Sequence, residues 1–179
     1  MSFLKIQNLD ISYKTRKETI IASQNVSLTL EQGEILGVVG ESGSGKSTIA
    51  NAIINQIDPP GEITQGSIQL EDAELCNNEK LIQTLRGKKI GFIFQDPQTS
   101  LNPLFTIKEQ LVETIQTHLK LNDHEATRRA IQLLKEVGIY DAEKRINDYP
   151  HQFSGGMRQR VVIALSICCE PDLLIADEP

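Results

Sequence analysis

The octapeptide Gly40-Glu41-Ser42-Gly43-Ser44-Gly45-Lys46-Ser47 has the full G-x-x-x-x-G-K-[ST] spacing of a phosphate-binding loop. Its glycines let the backbone curl so that successive N–H groups point at phosphate oxygens, backed by the positive end of the following helix. Lys46 brings a cation to those oxygens, and the Ser47 hydroxyl is a ligand of the kind Mg²⁺ takes. Gly40, Ser42, Gly43, Ser44, Gly45, Lys46, Ser47 and Thr48 are therefore the candidate phosphate-binding residues. A chance glycine-serine turn before a helix is the plain alternative. It does not explain the flanks, an apolar strand-like run Ile35-Leu36-Gly37-Val38-Val39 before and a helix-like run from Thr48 to Ile54 after.

Two further clusters carry chemistry. Asp177-Glu178 closes the apolar run Leu173-Leu174-Ile175-Ala176. A carboxylate at the end of a buried strand can hold Mg²⁺ through water, and a second one beside it can act as general base on an attacking water. Asp177 is the candidate on the metal side and Glu178 the candidate base; without a phosphate loop in the same chain, a solvated acidic pair would be the simpler reading. Ser154-Gly155-Gly156 opens a helix and offers a hydroxyl with unobstructed N–H groups, which makes a second anion site or an ordinary N-cap. One nucleotide does not need two such sites. Two facing subunits that share nucleotides do.

The elements that must position these residues are legible in outline. Leu4 to Tyr13, Val26 to Leu30 and Gly66 to Leu70 read as strands without intervening helices, hence an antiparallel layer on the N-terminal side. Asp58-Pro59-Pro60-Gly61 breaks the chain, and Ile90-Gly91-Phe92-Ile93-Phe94 reads as a buried strand of a parallel sheet. Thr106 with Glu109 forms a capping box before Ile107, Leu111, Val112, Ile115 and Leu119 at helical spacing. Asn122 with Glu125 caps a second helix through Ala130, Leu133, Leu134 and Val137, stopped by Gly138. Ser154 caps a third, with Met157, Val161, Ala164, Leu165 and Cys168 on one face.

Composition bounds the rest. The 179 residues suit one ordinary domain or one domain with an inserted lobe, and a net charge of −6 argues against non-specific nucleic-acid binding. No apolar run reaches the ~18 residues needed to span a bilayer, and the N-terminus lacks the features of a signal peptide, so a cytosolic location is expected. Three cysteines, two of them adjacent, make no disulfide framework and no C-x-x-C metal pattern. Cys168 and Cys169 read as small residues packed near a helix end. His118, His124 and His151 fall in no metal-ligand spacing and read as structural; Arg158 and Arg160 read as solvated or structural helix positions with no catalytic role.

Taken together and in order, Gly40 to Thr48, Gln95, Phe153-Ser154-Gly155-Gly156-Met157-Arg158-Gln159-Arg160 and Leu173 to Pro179 resemble the motifs of ABC-type ATPases. The stretch from Phe94 to Pro103, Tyr149-Pro150-His151-Gln152 and the Ser-Gly-Gly-Met signature resemble the ATPase subunits of bacterial oligopeptide, dipeptide and nickel importers. The resemblance implies an α/β fold: a P-loop NTPase (RecA-like) core sheet, an N-terminal antiparallel β subdomain and an inserted α-helical subdomain. On that reading 1–96 and 170–179 form the β subdomain and nucleotide-binding core, and 97–169 the helical subdomain.

The resemblance also implies roles. Tyr13 matches the aromatic residue that stacks on adenine, with a plain strand residue as the open alternative. Gln95 matches the residue that links Mg²⁺ and the attacking water to membrane subunits, with a plain strand-end polar residue as the alternative. Ser154, Gly155 and Gly156 match the signature that contacts the γ-phosphate bound by the opposite subunit. ATP and Mg²⁺ are the implied cofactors. The implied partners are a second ATPase subunit, identical or related, transmembrane permease subunits and, indirectly, a solute-binding protein. The implied location is peripheral, on the inner face of the cell membrane. Family members continue past the Glu178 position with a partner-facing loop, a switch histidine and further core strands, so a C-terminally incomplete cassette is expected. A truncated nucleotide-binding remnant without turnover and a soluble ABC ATPase are the alternatives.

Overall fold

The computed structural model describes residues 2–96 and 100–178. Pro97, Gln98 and Thr99 of the importer-like stretch, and Pro179, lie outside the described residues. The chain divides into two compact units, Met1–Thr84 and Leu85–Pro179.

The first unit is built on apolar alternation that changes phase once. In β1 (Leu4–Lys14), Leu4 and Ile6 are buried, and so are Leu9 and Ile11. The odd spacing between Ile6 and Leu9 is absorbed by a register irregularity at Asn8, which adopts φ +46°. Opposite that bulge, Gly66 has φ +96°, and a Cβ there would meet the Asn8 and Gln7 carbonyl oxygens at 2.6 Å. Only glycine allows so close an approach. With β2 (Thr19–Leu30), β3 (Gly61–Leu70) and β4 (Ala73–Glu74), β1 forms an antiparallel sheet of order β2-β1-β3-β4. Helix α1 (Lys46–Ile53) buries Ala52 and Ile53, and α2 (Glu79–Leu85) buries Ile82.

One expectation fails here. Ile35 to Val39 forms no strand, and Ile35 and Val39 are 98% and 97% exposed. A strand exists only through its ladder partners. The sheet of this unit is antiparallel and offers the run no parallel neighbour, so its apolar side chains have nothing to pack against. The strands read as Val26–Leu30 and Gly66–Leu70 are both longer than expected, because the antiparallel pairing extends to the hairpin ends.

In the second unit β5 (Ile90–Ile93) pairs in parallel with β6 (Leu173–Ala176), from Ile90 opposite Leu173 to Ile93 opposite Ala176. The helices described between them include α3 (Ile107–Leu119), α4 (Asp123–Glu136), α5 (Ala142–Arg145) and α6 (Gly155–Ile167), with a 3₁₀ turn at Pro150–Gln152. Both capping boxes form. Thr106 accepts from the Glu109 N–H while Glu109 reaches back to the Thr106 N–H, and Asn122 and Glu125 do the same for α4. Gly138 closes α4 at φ +78°, with its N–H on Lys135 and the Ile139 N–H on Leu134, a Schellman pair. The core of this unit joins Ile107, Leu111 and Ile115 of α3, Ala126, Ala130 and Leu134 of α4, and Val161, Val162 and Ala164 of α6.

Candidate functional site

The phosphate loop closes on its own lysine. Lys46 Nζ donates to the Gly40 and Glu41 carbonyl oxygens, both at 2.8 Å, so the ammonium sits inside a ring of backbone. Two glycines make that ring possible. Gly43 has φ +80° and open space around it; Gly45 has φ +90°, and a Cβ there would meet the Ala22 carbonyl oxygen of β2 at 2.3 Å. Gly45 is also the N-cap of α1 and supplies no side chain, so the first-turn N–H groups face the loop without a side-chain cap. A cation, a helix N-terminus and a glycine cradle that a Cβ would disturb converge here. That donor set fits a polyphosphate.

Strand β2 ties this loop to Tyr13. Ala22 lies against Gly45, and Ile20, two residues earlier, pairs with Tyr13 on β1. On its other side Tyr13 pairs with Gly61, where a Cβ would meet its ring at 2.6 Å, so β3 leaves room for the half-buried aromatic.

In the second unit the ends of β5 and β6 bring Gln95 and Glu178 together. The Gln95 amide Nε2 donates to Glu178 Oε2 at 2.6 Å, although 83 residues separate them. The Asp177 N–H donates to the Ile93 carbonyl at 3.0 Å, which continues the parallel ladder to the acidic pair. Glu178 takes φ +47°, turning the chain where its carboxylate meets Gln95. Asp177 is half-buried, and Glu178 and Gln95 are exposed.

Ser154 is the N-cap of α6, and its Oγ accepts from the Met157 N–H at 3.3 Å. Gly155 and Gly156 have nothing within 4 Å of a would-be Cβ. This helix start is thus open, while Phe153 just before it is buried with the Arg145 guanidinium 5.5 Å above its ring. Arg160 is occupied elsewhere, donating to the Gly138 carbonyl at 2.8 Å. The three histidines join no group of metal-binding residues among the described residues.

Three positioning residues escaped the sequence reading. The Ser166 hydroxyl donates to the Phe92 carbonyl at 2.7 Å, and a Cβ on Gly91 would meet the Ser166 carbonyl at 2.4 Å. Those contacts seat α6 on β5, the strand that leads to Gln95. Gln110 accepts from the Asn102 N–H and donates to the Asn102 and Phe105 carbonyls at 3.1 and 3.0 Å, gripping the turn before α3. A glycine in an apolar strand was the available signal for the first contact; the others are long-range or single polar residues with no pattern.

A glycine-cradled lysine before a helix, acid residues at the end of a parallel strand and an open Ser-Gly-Gly helix start define a P-loop nucleotide-binding cassette. The ABC transporter family matches residues 23–179, and the chain belongs to that family. It is 49% identical over 178 residues to the oligopeptide transport ATP-binding protein OppD of Bacillus subtilis (strain 168), covering 98% of this chain and 50% of that protein. To the dipeptide transport ATP-binding protein DppD of Haemophilus influenzae it is 46% identical, covering 100% of this chain and 54% of the relative. The chain thus spans about half the length of these curated relatives. The dimeric ATP-binding cassette MJ0796, in a post-hydrolysis state bound to ADP and Pi, superposes with a TM-score of 0.86 at 31% identity, over 97% of this chain and 73% of that one. No helix among the described residues is long and apolar enough to cross a membrane.

Proposed function

We propose that this chain is the nucleotide-binding part of a subunit that couples ATP hydrolysis to the import of a solute, peptides foremost. The observation that carries the reading is the Lys46-centred phosphate loop, set in a chain 43–49% identical to peptide-transport ATP-binding proteins over nearly its whole length. Gly40, Ser42, Gly43, Ser44, Gly45 and Thr48 cradle the phosphates, Lys46 neutralises them, and Tyr13 stacks on the base. Ser47, Asp177 and Gln95 are the proposed oxygen donors for Mg²⁺, which screens phosphate charge when bound. Glu178 accepts a proton from the attacking water, and Gln95, already hydrogen-bonded to it, orients that water.

Ser154, Gly155 and Gly156 take the γ-phosphate of a nucleotide held by a second ATPase subunit. The proposed organisation is a core with β subdomain over 1–96 and 170–179 and a helical subdomain over 97–169. Its partners are that second subunit, transmembrane permease subunits and, indirectly, a solute-binding protein, with the protein lying on the inner face of the membrane and contacting no nucleic acid. The test is reconstitution into vesicles with the permeases from the same cells. ATP-driven accumulation of a labelled oligopeptide, lost with Lys46→Ala, is the expected result. ATP turnover that no permease or peptide alters would overturn the importer reading.

A further inference from the structure

Cys168 and Cys169 take no part in the nucleotide chemistry, yet they hold two nucleophiles together. They follow α6 directly, both buried, with Sγ atoms 3.6 Å apart and Cys169 Sγ 4.0 Å from the Thr114 carbonyl of α3. Neighbouring Cα atoms lie about 3.8 Å apart, short of the roughly 4.4 Å at which ordinary disulfides begin. A disulfide here is strained, so the dithiol is the favoured form. The Cys168–Cys169 hydrogen bond, together with the nearby Arg129 guanidinium, holds the Cys169 thiol below its usual range against the effect of burial, while the same bond and burial push Cys168 up.

The sulfur spacing suits a single soft centre. Two thiolates bound at about 2.3 Å, the zinc–thiolate distance, lie about 3.8 Å apart at a tetrahedral angle. Zinc itself needs four ligands, and no group of three or more His, Cys, Asp or Glu side chains that could hold a metal exists among the described residues. A trivalent arsenic atom that already carries one organic substituent needs only two sulfurs.

A cavity of 1020 Å³ along α4 is lined by Thr127, Arg129, Ile167, Glu170, Pro171 and Leu174 among others. Two of those lining residues, Ile167 and Glu170, flank the two cysteines in sequence. The cover is a strap: Arg129 Nε donates to the Cys168 carbonyl at 2.7 Å, and its NH2 pairs with Glu170 at 3.0 Å. The Glu170 side chain is 81% exposed, and its backbone sits at φ +53°. An ion pair so exposed is weak and opens easily.

We propose that Cys168 and Cys169 form a bidentate site for a trivalent, monosubstituted arsenical, reached from the α4 cavity. Two S–H bonds break and two As–S bonds form, and the arsenyl oxygen leaves as water with the two thiol protons. No electron is transferred. The experiment treats reduced, folded protein with phenylarsine oxide and reads the intact mass, with circular dichroism confirming the fold of each variant. One arsenical per chain is expected, retained in Cys76→Ala and lost in both Cys168→Ala and Cys169→Ala. Glu170→Gln is expected to take up the reagent severalfold faster. An adduct that survives either single substitution, or reaction only after unfolding, would overturn the site. An unchanged rate in Glu170→Gln would overturn the route.

Discussion

Lys46 bears most of the weight at the residue scale. Its ammonium donates to the Gly40 and Glu41 carbonyls and is held where phosphate oxygens would compete for it. A hydrogen bond to a charged group contributes about 1.5–3 kcal/mol, so Lys46→Ala is expected to weaken ATP binding by roughly 10- to 100-fold, as read by equilibrium titration with a fluorescent ATP analogue. Glu178→Gln behaves differently. It is expected to keep nucleotide affinity and to lower turnover by about 10²- to 10⁴-fold, the range of a lost general base. Unchanged turnover would remove Glu178 from the base role. The phosphate loop was legible in the sequence because its chemistry is contiguous: eight residues specify cation, hydroxyl and backbone curl together. The Gln95–Glu178 hydrogen bond was not, since strand pairing and not sequence spacing brings the two side chains together.

At the scale of elements, the helices show how far local chemistry specifies structure. Both capping boxes could be read directly because Thr106–Glu109 and Asn122–Glu125 lie within single turns. Removing the first by Thr106→Ala is expected to cost about 1 kcal/mol in urea unfolding. Glu109 adds a pH dependence. The Thr106 backbone N–H, then its hydroxyl, hold the Glu109 carboxyl below its ordinary value. A depressed folded-state value means the contribution is present above the unfolded pKa and lost as pH falls through the folded one. The advantage in melting temperature of the native protein over Glu109→Gln, present near neutrality, should therefore vanish in acid. A constant difference down to the lowest pH would contradict it. The run Ile35–Val39 shows the opposite case: its composition is that of a core strand, yet a strand needs partners that are distant in sequence. Helices α2 and α5, of 7 and 4 residues, are too short to leave a periodic signal.

At the scale of the molecule, the open start of α6 is where the proposed second subunit would bring its nucleotide. Ser154 caps the helix, and Gly155 and Gly156 leave its N–H end uncovered. Gly155 has no neighbour that a side chain would displace, and an acidic residue in the first turn of a helix is favourable to folding. Gly155→Asp should thus fold normally while repelling a phosphate brought by a partner. The most direct measurement is the ATP-dependent association of Glu178→Gln protein by analytical ultracentrifugation, with and without Gly155→Asp. The account predicts dimers with ATP for the single variant, and monomers that still bind ATP for the double variant. Dimers of equal stability in both, or none in either, would contradict it.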